Sequence, residues 1–144
     1  MAKTSKAGMW MILVVLSMII ILPSSIGIGE VWTQATANPG WSERMRHTSV
    51  VFDNKLWVIG GENPSSLNDV WYSSDGVTWT QATASAPWSP RYAHASVVFN
   101  GNIWVIGGRT GLTSLNDVWY SSDGVNWNQA PNLPAGRSGM SAVV

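Results

Sequence analysis

The chain has 144 residues, eight Lys plus Arg against eight Asp plus Glu, ten tryptophans and no cysteine. Only 11% of its residues are charged, and so balanced a charge lacks the basic stripe with which a nucleic-acid binder neutralises phosphates. Zero cysteine excludes a disulfide scaffold, a cysteine-based zinc site and a thiol nucleophile.

Lys3 and Lys6 are the only charges before Glu30. The apolar run over residues 9–22, MWMILVVLSMIIIL, would make a helix about 21 Å long. That is short of the roughly 30 Å hydrocarbon core of a bilayer. A basic start, a short apolar core, then Pro23 and small residues is the layout of a secretory signal peptide. Gly27 and Gly29, or Ser25 and Gly27, offer the cleavage site. Two alternatives stay open: an uncleaved N-terminal hydrophobic helix anchoring the chain through residues 9–28, and a buried core helix. Both export readings put Lys3 and Lys6 inside and the rest of the chain outside. Residues 1–29 are therefore expected to be a signal peptide or membrane anchor, with no other membrane contact. Residues 30–144 keep six bases and eight acids, a mildly acidic, extracytoplasmic part with no nucleic-acid partner.

From residue 30 onward the chain repeats itself. HTSVVFDNKLWVIGG (47–61) and HASVVFNGNIWVIGG (94–108) share 10 of 15 positions. SLNDVWYSSDGVTWTQA (66–82) and SLNDVWYSSDGVNWNQA (114–130) share 15 of 17. The offset grows from 47 to 48 because the second intervening loop is one residue longer. WTQATA at Trp32 recurs at Trp79, and RSGMSAVV (137–144) echoes RYAHASVV (91–98).

Each period reads as four short strands. SVVF and the run ending WVIGG form a first hairpin around Asp53-Asn54 or Asn100-Gly101, and Asn-Gly is a strong hairpin signal. A polar loop follows, ENPSS (62–66) or RTGLTS (109–114). DVWYSS and VTWTQA then form a second hairpin around Asp75-Gly76, repeated at Asp123-Gly124. Their β-branched and aromatic content suits strands, and no helical period follows Gly29. Four antiparallel strands per 40 to 50 residues is the signature of a β-propeller blade.

The order of these motifs resembles the kelch repeat: apolar residues, a glycine pair, then a spaced Tyr and Trp. Here these are Gly60-Gly61 with Tyr72 and Trp79, and Gly107-Gly108 with Tyr120 and Trp127. The resemblance covers residues 31–144. It implies an all-β fold of kelch-type propeller blades, two complete (about 44–82 and 91–130) and two partial, with flanking strands at 31–36 and 137–144. SSDGVTW is also similar to the Asp-box of sialidase-like propellers, but lacks the residue between Asp and Gly and reads as a hairpin turn.

The tryptophans recur in register, so Trp57, Trp71, Trp79 and their second copies are expected to pack between blades. Trp41 and Trp88 sit in connections between blades, as structural lids or as sugar-stacking platforms. His47 and His94 occupy equivalent positions one blade apart, a poor arrangement for one shared metal or proton relay. Asp69 and Asp117 read as ties for the loop entering the third strand. The glycine pairs permit a backbone geometry that a Cβ would block, and no helix or Lys follows to make a phosphate loop. In an up-and-down blade, the loop after the second strand and the connection into the first emerge on one face. That face gathers the candidate ligand-binding residues Trp41, Arg44, Glu62, Trp88, Arg91 and Arg109, with Arg137. Arginine with tryptophan suits a carbohydrate or peptide surface, although arginines recurring at one repeat position also suit backbone bonding at the rim.

Propellers usually close with roughly four to eight blades, so the chain reads as part of a longer exported propeller. Left alone, its blade faces and strand edges would be an aggregation liability. The expected function is a non-catalytic, exported kelch-repeat interaction module that binds a protein or carbohydrate ligand on the loop face and needs no cofactor or metal. One alternative is a fragment of a carbohydrate-active propeller enzyme similar to galactose oxidase or a sialic-acid isomerase. The galactose oxidase resemblance implies a copper site with a cysteine-linked tyrosine, and this chain has no cysteine. Nor does an acid pair stand out, since nothing pairs Glu43 and Glu62. A membrane-anchored surface or adhesion protein is the other alternative.

Overall fold

Val, Ile, Thr and aromatic residues alternate in short runs, and the runs become strands whose facing sides pack into one core. The computed structural model describes residues 33–144, and every element in them is a strand. The hydrophobic segment expected to form an N-terminal helix lies outside the described residues. β1 (Thr48–Phe52) and β2 (Lys55–Asn63) are followed by β3 (Ser65–Ser73) and β4 (Thr80–Thr83), hydrogen-bonded in the order β1-β2-β3-β4. The second copy gives β5 (Ala95–Phe99), β6 (Asn102–Ile106), β9 (Val118–Ser121) and β10 (Asn128–Ala130), in the order β5-β6-β9-β10. Each is an up-and-down antiparallel blade. Between β6 and β9 lies a small hairpin of β7 (Arg109–Thr110) and β8 (Thr113–Ser114).

The turns follow from the residues placed in them. Asp53 and Asn54 both have positive φ, 49° and 54°, as do Asn100 and Gly101, 51° and 71°. That is the hand of turn that matches the twist of paired strands. The first glycine pair marks a break in register between Ile59 and Gly61. A Cβ on Gly60 would stand 2.9 Å from the carbonyl oxygen of Arg91, and one on Gly107 would stand 2.6 Å from that of Arg137. The chain arriving from the next repeat passes directly over the glycine, so no side chain fits there.

Three expectations need correction. Val77–Trp79 and Val125–Trp127 are not strand: β3 and β9 end at Ser73 and Ser121, and wider turns follow. Asp75 Oδ1 accepts the backbone N–H of Val77 and Thr78 and the hydroxyl of Ser73, and Asp123 does the same with Val125, Asn126 and Ser121. Those bonds take the amides a two-residue hairpin would have paired across the ladder. Second, the polar loop after β2 is largely strand in the first copy, paired as far as Asn63 with Ser65, whereas the longer second copy folds separately as β7–β8. Third, residues 137–144 hold no strand, and the other flanking strand, expected over 31–36, falls partly outside the described residues.

The two blades share one core. Val50, Phe52, Trp57, Ile59, Val70 and Tyr72 face it from the first blade. Val98, Ile103, Val105, Trp119 and Trp127 face it from the second, with Ala86 and Trp88 of the connection between. The sheets approach most closely through β1, which packs on β5 and β6, so the blades splay outward as propeller blades do. The tightest fit is Trp57 over Gly124: a Cβ on Gly124 would fall 2.2 Å from two ring carbons of Trp57.

That fit has an internal control. Gly76 and Gly124 hold the same turn position with the same φ of 74°, but a Cβ on Gly76 meets only Leu56 at an ordinary 3.7 Å. Gly124→Ala and Gly76→Ala therefore carry the same backbone strain. We expect Gly124→Ala to be the more destabilising by about 1–3 kcal/mol, the usual range for overpacking, when both are measured by denaturant unfolding. Equal losses would mean that the Trp57 contact is not a packed joint.

Candidate functional site

Each blade is entered through an arginine whose side chain the sequence placed on the ligand face. The structure puts it elsewhere. Arg44 donates Nη1 and Nη2 to the two carboxylate oxygens of Asp69 at 2.7 and 2.9 Å, Nη1 also to Gly60 O at 3.0 Å, and Nε to Ser42 O. Arg91 repeats the pattern with Asp117 at 2.8 and 2.7 Å, Gly107 O at 2.8 Å and Ser89 O. Both guanidinium groups are wholly enclosed, and a planar fork on a carboxylate is the geometry in which a buried arginine is tolerated. The indole N–H of Trp71 and of Trp119 completes each carboxylate. Burial alone would raise Asp69 and Asp117, but the arginine fork and then the indole N–H outweigh it and hold both carboxyls below their ordinary range. Arg44 and Arg91 are thus structural clamps, and they are corrected out of the ligand surface. Arg137 opens the third copy of the motif with its side chain exposed.

The proposed stacking platforms are enclosed as well. Trp88 is 2% exposed, edge-on to Trp127 at 4.4 Å and beside Trp119. Trp41 is half-buried, with its ring edge-on to Trp79 at 5.6 Å and the Arg44 guanidinium 5.4 Å from its centroid. Each caps a blade face as a lid. A sugar ring has no free indole face at Trp88.

What remains of the predicted set is Glu62 and Arg109, and the structure adds neighbours that the sequence did not single out. Met45 pairs with Glu62 and Tyr92 with Arg109 through isolated backbone bridges. Glu62 accepts a hydrogen bond from Arg46 Nη1 at 2.9 Å, and the Arg46 guanidinium lies 5.5 Å from the ring centroid of Tyr92. Tyr92 donates its hydroxyl to Gly111 O at 2.8 Å, and Arg109 Nη2 donates to Leu112 O at 3.2 Å. The result is one connected surface, Glu62–Arg46–Tyr92–Arg109, ending at a braced hairpin tip. Leu112 stands on that tip 92% exposed. A comparison of the repeats could have found this tip, because ENPSS against RTGLTS is where two otherwise near-identical copies diverge. Arg46 and Tyr92 could not be found that way, since Ala93 and Met45 hold the equivalent positions.

The histidines belong to the joint between blades. His94 Nε2 and Thr48 Oγ1 are hydrogen-bonded at 2.7 Å, and Thr48 Oγ1 and Ser96 Oγ at 2.6 Å, tying β1 to β5. Burial first, then Arg91 and His47 nearby, push the His94 imidazole down to about 3. Among the described residues no group of three His, Asp or Glu side chains converges as a metal set.

A glycine-pair blade, a repeated arginine–aspartate clamp and a recurring Tyr and Trp are now in place, and comparison with protein families bears on them directly. The KLHDC2/KLHL20/DRC7 Kelch-repeats domain matches residues 28–144. The chain is a kelch-repeat protein. A search of curated proteins gives no match. Kelch domains generally bind protein partners, and the kelch repeat here presents its least repetitive surface at the loop tips.

Two outcomes follow for the clamp and the joint. Removing one partner of a buried ion pair costs about 3–5 kcal/mol, so Arg91→Ala is expected to lose that much in denaturant unfolding. Arg137→Ala should stay within about 0.5 kcal/mol, as exposed positions do; equal effects would refute the clamp. For His94, the unfolded chain binds a proton below about pH 6.5, which the folded chain refuses until about pH 3. Stability must therefore fall as pH drops through that window. The aspartates add their loss only at lower pH, as it falls through their depressed folded values. Met140 holds the His94 position in the third copy, so His94→Met should flatten the slope between pH 6.5 and 3. An unchanged slope would contradict the buried neutral imidazole.

Proposed function

We propose that this kelch-repeat protein is a non-catalytic, extracytoplasmic binding module whose partner is a protein and whose contact surface is the loop face around Leu112. The observation that carries this reading is the divergence between repeats. Blade sheets, clamps and turns recur almost unchanged, whereas the β2–β3 connection and its counterpart differ in length, charge and shape. The second is stiffened by the Tyr92 and Arg109 hydrogen bonds to Gly111 and Leu112. A wholly exposed leucine held on a braced turn gains nothing for the fold, and it resembles the apolar anchor that fills a partner's pocket at the centre of a protein interface. The Arg46 and Tyr92 pair beside it offers the side-chain types enriched at such sites. Lys3 and Lys6 followed by the apolar run over residues 9–22 support an address outside the cytoplasm, cleaved or anchored.

A photoreactive amino acid at position 112, and separately at the exposed Val125 on the outer turn, tests this in cells that express the full chain. A discrete protein adduct is expected from position 112 and none from position 125. Adducts of equal yield at both positions, or none at either, would count against the loop face.

A further inference from the structure

The turn between β5 and β6 carries a chemistry that its counterpart in the first blade lacks. Asparagine is thermolabile, and Asn100 is the only asparagine of the chain that a glycine follows. Glycine has no Cβ to shield its backbone nitrogen, so the nitrogen of Gly101 has open access to the side-chain carbonyl carbon of Asn100. Both residues are exposed, and a Cβ built on Gly101 would meet nothing within 4 Å. The bond from Asn102 Nδ2 to Asn100 O, 2.9 Å, is itself exposed, so the local opening that cyclisation needs costs little. A neighbouring blade does not cover this position. The first blade has the second packed against it, yet the side chain of Asp53, at the equivalent turn position, is 72% exposed.

Two other turns place a bare glycine after a carboxyl group, and the structure protects both. The Thr78 amide, then the Val77 amide and the Ser73 hydroxyl, hold the Asp75 carboxyl down to about 2. It stays ionised, and a carboxylate is a poor target for an attacking amide nitrogen. Asp123 is held by the amides of Val125 and Asn126 and the hydroxyl of Ser121, and Gly124 lies beneath the Trp57 ring.

We propose that Asn100 is a site of spontaneous deamidation through a cyclic imide. The nitrogen of Gly101 attacks Cγ of Asn100, the bond from Cγ to the side-chain nitrogen breaks, and that nitrogen leaves as ammonia with the proton of the Gly101 amide. Water then opens the imide at one of two bonds. Breaking the new Cγ–N bond gives aspartate; breaking the original backbone C–N bond gives isoaspartate, in which the chain runs through the side-chain carbon. Each turnover consumes one water, releases one ammonia and leaves one negative charge, with no change of oxidation state.

The two products differ in what they do to the blade. Aspartate copies the first blade, where Asp53 holds a φ of 49° beside the 51° of Asn100. Asp53 pairs with Lys55 at 3.0 Å, however, and the Lys55 position is Asn102 in the second blade, so the new charge has no cation in its turn. Isoaspartate adds a carbon to the backbone between Phe99 and Asn102, the pair that closes the β5–β6 ladder. Val98 and Ile103, the next pair along, lie in the shared core.

The test is peptide mapping by mass spectrometry of the full chain, folded in detergent and incubated in mildly alkaline buffer, with isoaspartate counted by an isoaspartyl methyltransferase. The control is Gly101→Asn, which imports the residue of the first turn: Asn54 holds a φ of 54° at that position, so the turn accepts it. Near-ultraviolet circular dichroism of the tryptophans checks that the variant is folded. The wild type should gain acid at position 100 as a mixture of isoaspartate and aspartate, ahead of every other asparagine. The added Cβ should slow that conversion by about tenfold or more in Gly101→Asn. Three results would each overturn the proposal: an Asn100 that stays intact while the same chain in denaturant converts, a variant that converts as fast as the wild type, or aspartate formed without isoaspartate.

Discussion

A guanidinium group can be enclosed only where each of its polar faces is met, and Arg91 meets that condition by belonging to two sheets at once. Its backbone N–H donates to Leu67 O and its carbonyl accepts from Gly61 N, both in the first blade. Its side chain grips Asp117 and Gly107 O in the second. One residue is therefore bonded to both blades at once, beside the Thr48 bonds to His94 and Ser96, and these polar bonds have a directionality that apolar packing lacks. The packing of Trp57, Ile59 and Ile103 supplies the larger driving force. The clamp fixes which way round the two faces meet.

The same residue explains the glycine pair. Gly61 must bring its N–H to Arg91 O, and the backbone of the incoming connection lies so close to Gly60 that a methyl group would collide with it. Gly60 and Gly61, the clamp Arg91 and its Asp117 are thus one device with three parts, and its glycine-and-backbone portion recurs at Gly107, Gly108 and Arg137. In the third copy the backbone half is present, with Arg137 bonded to Leu115 O and Gly108 N, while the side chain is exposed. At the loop tips the device imposes nothing: the β7–β8 hairpin is one residue longer than its counterpart and carries the exposed Leu112 without disturbing any clamp.

Much of this was legible in the sequence because repetition multiplies weak signals. Asn100-Gly101 alone suggests a hairpin; the same spacing around Asp53-Asn54 makes it a rule, and the first hairpin of each blade is in place. The turn at Asp75 was read a few residues too tight, since one carboxylate oxygen accepting two amides widens a loop in a way that composition does not reveal. The site was less legible. Arg44, Arg91 and Trp88 carry the side-chain types of binding surfaces, and their recurrence could be read as a shared ligand face or as a shared clamp. Only the geometry of Asp69 and Asp117, 25 and 26 residues along the chain, separates the two readings. The Arg46–Tyr92 contact joins residues of different repeats that have no counterpart in the other copy, so no pattern pointed to it.

The central claim is that the two blades form one cooperative unit because Arg91 joins them. Native-state hydrogen exchange of individual backbone amides tests it directly. The amides of Gly61 and Arg91, which bond across the joint, should open with the same free energy as those of Ile59 and Val105 inside the sheets. If the joint amides exchanged far faster than the sheet amides, the blades would be opening independently, and the clamp would be a contact rather than the joint that holds the fold.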